Sequence, residues 1–108
     1  MTTALVIPLK RPVDGPRTMT LAGVLAALPR IEHTMAWLGQ HQVAVIGFGC
    51  TRKGPVVTVA AHPAVYMLAH GRAERREQKQ VGAVRHEMWS FVTDEQVDVV
   101  WEEVVCVH

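Results

Sequence analysis

The sequence predicts a two-layer α+β domain, a mostly antiparallel sheet with two helices on one face, in the order β-α-β-β-α-β-β. Apolar residues recur every three or four positions from Leu21 to Leu38, which is the period of an amphipathic helix. Valine-rich runs elsewhere come in pairs around short turns, the pattern of hairpins. At 108 residues the chain suits one domain over 1–108, because two halves would each struggle to bury a stable core.

The elements follow in order. Ala4 to Leu9 reads as a short strand, with Pro8 marking an edge or the strand's end. Lys10 to Arg17 is dense in Pro and Gly and reads as a loop. Thr20, with Thr18 as the alternative, caps a helix whose stripe is Leu21, Val24, Leu25, Leu28, Ile31, Met35 and Leu38. Pro29 removes one backbone donor from the middle of that helix, so a kink or two nearly continuous helices are expected. Gly39 is the expected left-handed stop.

Val43–Cys50 and Val56–Ala61 flank Thr51–Pro55 as a hairpin. Strand alternation puts Gly47 and Gly49 on one face and Ile46 and Phe48 on the other, leaving a smooth glycine face for a helix or a partner. Pro63 in the first turn opens a second helix, which ends at Gly71 or runs on through the charged stretch from Arg72 to Gln80. Val84–Val92 and Val97–Val107 form a terminal hairpin around Thr93–Gln96. A helix over Asp94–Val105 is the rival reading of the last segment, and its valine content favours strand.

Apolar residues are 49% of the chain and charged residues 19%, too apolar a mixture for disorder. That apolar share also points to self-association as a homodimer. Eleven basic residues against ten acidic ones leave a formal charge of +1, so no global field draws the protein to nucleic acid or an anionic membrane. The first ten residues lack the order of charges and the uninterrupted apolar run of a signal peptide or a spanning helix. A cytoplasmic location follows as the expectation, with Cys50 and Cys106 reduced.

Several chemical readings compete with plainer ones. Gly47–Gly54 joins glycines to Arg52 and Lys53, but Gly54 leads into Pro-Val-Val rather than the Lys-Ser/Thr and helix of a phosphate loop. A hairpin turn explains it better. The six histidines lack the two-to-four-residue spacing of ligand pairs, apart from Cys106 and His108. A site built from Cys50, His62, His70 and His86 is unsupported by spacing, and no metal or cofactor is expected. Cys50 ends an apolar strand, where a thiol more often fills space than attacks a substrate.

The basic residues Arg72, Arg75, Arg76, Lys79 and Arg85 suit a phosphate backbone. Glu74 and Glu77 interrupt them and no aromatic residue is interleaved, which suits a solvated face instead. Trp89 and Phe91 share one face of the terminal hairpin, opposite Met88, Ser90 and Val92, so both faces carry apolar groups and helices cover only one. The favoured expectation is a small non-enzymatic protein-interaction module of the kind a phage or mobile element encodes. Its surface would be Trp89, Phe91 and Trp101 with the acidic rim of Asp98 and Glu102, and its partner a second copy or another protein. Nucleic-acid binding through the basic residues is the second expectation, and a small thiol or metal enzyme using Cys50, His62 and His86 the third.

Overall fold

The computed structural model describes residues 20–107. The strand expected at Ala4–Leu9, the loop after it and the alternative cap Thr18 lie outside the described residues. Helix α1 spans Leu21–Gln40, and the Thr20 hydroxyl caps it by accepting from the Gly23 amide at 3.1 Å. Pro29 is accommodated within one continuous helix. The line facing the core is Val24, Ala27, Ile31, Thr34 and Leu38, whereas Leu21, Leu25 and Leu28 from the expected stripe are substantially exposed. Gly39 does not stop the helix. His41 caps it and Gln42 takes the left-handed conformation (φ 63°).

Strands β1 (Val45–Thr51) and β2 (Gly54–Val59) form the expected hairpin, with Gly54 at φ 125° closing the turn. A bulge between Val45 and Gly47 breaks the alternation, so Phe48 packs on the core while Ile46 is exposed. Helix α2 (Pro63–Ala69) starts with the His62 ring accepting from the Ala64 amide at 3.0 Å. It ends at His70 and Gly71, both left-handed.

The charged stretch beyond Gly71 is neither coil nor continued helix. It forms β3 (Glu74–Val81), an edge strand exposed along its whole length and paired antiparallel with β4 (Val84–Val92). Strand β5 (Asp98–Cys106) completes the second hairpin, which excludes the helical reading of 94–105.

The sheet order is β1-β2-β5-β4-β3, antiparallel except where β5 lies parallel to β2. Both helices pack on one face, over a core that includes Ile31, Leu38, Val57, Val65, Phe91 and Trp101. This is the α+β architecture the sequence predicts. Strand β2 reaches β5 only from Asp98 to Val100. Beyond that point β4 is the only neighbour of β5 among the described residues, so the far halves of β3, β4 and β5 form a three-stranded wing.

Candidate functional site

Cross-strand register sorts the expected interaction residues onto two faces. Trp89 pairs with Trp101 and Phe91 with Val99, so all four point to the side that carries the helices. Phe91 and Trp101 are fully buried, and half-buried Trp89 packs against the same cluster. Trp37 meets Phe91 edge-on at 6.4 Å, and Tyr66 meets Trp101 at 5.3 Å. Phe91 and Trp101 therefore lie sealed under the helices, and Trp89 keeps partial exposure on that same side rather than on the open face. Asp98 and Glu102 lie on the opposite, open face, half-buried and exposed respectively.

The five basic residues do not form one surface either. Arg85 and Arg75 converge on the Glu87 carboxylate on the helix side, at 2.6 and 3.5 Å. Arg72 pairs with Asp94 at 3.3 Å, and its guanidinium lies 5.9 Å from the centre of the Phe91 ring. Lys79 lies opposite His86 on the open face, and Arg76 lies near Ser90 and Asp98. Cys50 is sealed in the core, where burial pushes its thiol up against a smaller opposing effect of Arg30, the reverse of nucleophile activation. His62 serves as a helix cap, and His86 faces Glu102 at 3.0 Å. Among the described residues no three His, Cys, Asp or Glu side chains form a ligand cluster.

Two polar groupings were missed by sequence reasoning. On the helix side, the Tyr66 hydroxyl donates to Glu103 at 2.6 Å and accepts from the Trp101 indole at 3.2 Å. Next to it, Glu87 accepts from the Trp89 indole at 2.9 Å as well as from Arg85. Both groupings satisfy their own hydrogen bonds and read as structural ties.

The open face is organised differently. Reading across the strands, one row holds Val81, Val84 and Cys106, and the next Lys79, His86 and Val104. Further rows hold Glu77, Met88 and Glu102, then Glu74, Ser90, Val100 and Thr58. The last row is Val92, Asp98 and Val56. At that end the β1–β2 turn and the bulge of β3 frame a groove of about 530 Å³, bordered by Arg52, Lys53, Arg76, Val56, Asp98 and Val100.

An adjoining hollow of about 280 Å³ shares Arg76 and reaches Ser90. Ser90 Oγ and Asp98 Oδ1 are both buried, with no hydrogen-bond partner among the described residues. Burial raises the Asp98 carboxyl above its ordinary range, against the pull of the Arg76 and Lys53 charges and of the Ser90 hydroxyl, which lies close by without reaching hydrogen-bond geometry.

Comparison with protein families, with curated proteins and with solved structures finds no match to this chain. No helix among the described residues is long and apolar enough to cross a membrane.

Proposed function

We propose that this chain is a non-enzymatic protein-interaction module that pairs with a second copy of itself through the open face of the β3–β4–β5 wing. The observation that carries this reading is the apolar end of that face. Val81 and Val104 are 61% and 58% exposed, beside half-buried Val84 and exposed Cys106.

Strand addition is the other common route to association, and both sheet edges resist it. Edge strand β1 carries a bulge at Val45/Gly47, and edge strand β3 carries one at Arg75/Glu77 together with alternating charges. A face therefore offers more than an edge. A formal charge of +1 leaves little repulsion between copies, and acidic and basic groups alternate around the valines at Glu77, Lys79 and Glu102. A two-fold axis through such a patch sets valine against valine and opposite charges around them.

Sedimentation equilibrium across a concentration series tests this. A monomer–dimer equilibrium is expected, and Val104→Asp should weaken it at least about tenfold by placing an unpaired charge in the interface. An unchanged circular dichroism spectrum would show that the variant still folds. A wild-type protein that stays monomeric throughout the series, or a variant that pairs as well as wild type, would overturn the reading.

A further inference from the structure

The groove at the other end of the open face lies beyond the wing, and its side chains are arranged for a different task. Two cations from separate elements, Lys53 on the β1–β2 turn and Arg76 in the β3 bulge, act on the Asp98 carboxylate, and Arg52 lies on the same rim. Three cations against the Asp98 carboxylate, with Glu74 at the edge of the adjoining hollow, leave the rim net positive, so a ligand with an anionic group is favoured there.

The adjoining hollow, which shares Arg76 and Val92 with the groove and reaches Ser90, makes a second demand. Ser90 is 1% exposed, and its hydroxyl, like Asp98 Oδ1, is buried without a protein partner among the described residues. A buried polar atom left unpaired costs about 1–3 kcal/mol, so native structures place a partner there. Ser90 can donate or accept, whereas an ionised Asp98 can only accept. The group that completes them must therefore bring hydrogen-bond donors. Val56, Val92 and Val100 supply apolar surface between these polar atoms.

We propose that this groove binds a small hydroxylated organic anion, with Arg76 and Lys53 holding the anionic end and Asp98 and Ser90 engaging hydroxyl groups. A phosphate monoester and a carboxylate share this chemistry.

Amide-resolved NMR titration of the whole chain with glucose 6-phosphate, gluconate, inorganic phosphate and glucose tests it. At least one of the two hydroxylated anions should give saturating shifts confined to the amides around Lys53, Arg76, Ser90 and Asp98. Comparing glucose 6-phosphate with gluconate then tells which anionic group is preferred. The better ligand should bind at least about tenfold more tightly than inorganic phosphate or glucose, since each of these meets only half of the site's demands.

Arg76→Ala should weaken binding about tenfold or more. Lys53→Gln, on an exposed turn where folding is not at stake, should weaken it in the same direction. Ser90→Ala should remove the advantage of the hydroxylated anion over inorganic phosphate. Val104→Asp, at the far end of the face, should leave binding unchanged even as it disrupts pairing, which separates the two proposals.

The proposal is overturned by an absence of saturation with both organic anions. It is equally overturned by shifts that fall as strongly on Lys79 and Arg85 as on Arg76, or by inorganic phosphate binding as tightly as the organic anions. Binding that survives both Arg76→Ala and Lys53→Gln would also sink it.

Discussion

Glu87 and Asp98 are carboxylates on the neighbouring strands β4 and β5, facing opposite sides of the sheet, and their neighbours treat them in opposite ways. Glu87 lies on the helix side, 5% exposed, with one oxygen accepting from the Trp89 indole and the other from Arg85. The Trp89 hydrogen bond is the largest influence on its carboxyl; together with the Arg85 bond and the charges of Arg85 and Arg75, it outweighs burial and holds the group below the ordinary range. Asp98 is also partly desolvated, but burial dominates there and one of its oxygens has no partner among the described residues. A fully bonded carboxylate has nothing left to offer a ligand and serves as a tie within the fold. A carboxylate with an idle oxygen beside two cations retains capacity for recognition. The contrast gives the helix side a structural role and fits the binding proposed for the open side.

The largest expected effect tests whether the helix side is purely structural. Trp101→Ala should cost about 3–5 kcal/mol in urea unfolding, because it opens a large cavity in a sealed core. Val104→Ala on the open wing should stay within about 0.5 kcal/mol of wild type. If Trp101→Ala instead left stability intact while abolishing self-association, the buried rings would be a docking surface and the division between the faces would fail.

A smaller effect follows from Glu87. Because its native carboxyl is depressed, the native state ionises before the unfolded state as pH rises. The stabilisation is therefore complete above the ordinary value of 4.5 and disappears as pH falls through the depressed native value. Glu87→Gln should flatten that acid limb of the stability curve. A variant whose unfolding free energy follows the wild-type slope across the acid range would show that the Trp89 and Arg85 contacts do not set the titration.

The fold was largely legible because periodicity is a local signal. The helical stripe through Val24, Ile31 and Leu38, the β1–β2 hairpin and the inward set of Val97, Val99 and Trp101 all follow from spacing alone. Strand β3 was illegible for a physical reason. Glu-Arg-Arg-Glu-Gln-Lys-Gln has little intrinsic strand preference, and hydrogen bonds from β4 make it a strand. Its charges, read as those of a solvated face, also protect an exposed edge.

Strand alternation puts Trp89 and Phe91 on one face, but which face the helices cover is a tertiary fact. Spacing alone therefore leaves open that Phe91 and Trp101 lie beneath the helices. For the site, Asp98 was visible as part of an acidic rim. Ser90 comes to it from β4, Arg76 from the bulge of β3 and Lys53 from the β1–β2 turn, and no spacing in the chain encodes that meeting.

Asp98→Asn gives the smallest effect and the sharpest test of the contrast. Its carboxyl is raised above the ordinary value of 3.8, so as pH climbs past that value the unfolded state loses its proton first while the native state keeps it. Wild-type stability should therefore fall across the window from 3.8 up to the raised native value, opposite in sign to the Glu87 contribution. The amide cannot ionise and still offers hydrogen-bonding atoms to Ser90 and Arg76. Relative to wild type, the variant should be level in strong acid and more stable above the window, by an amount that high salt increases, because screening weakens the pull of Arg76 and Lys53 that offsets burial of the wild-type carboxylate. Chemical unfolding at a series of pH values would show this as a difference that grows from zero. A variant less stable than wild type at neutral pH would mean that Arg76 and Lys53 need the carboxylate more than burial penalises it. Asp98 would then be a second structural tie, like Glu87, rather than a carboxylate held in reserve for a ligand.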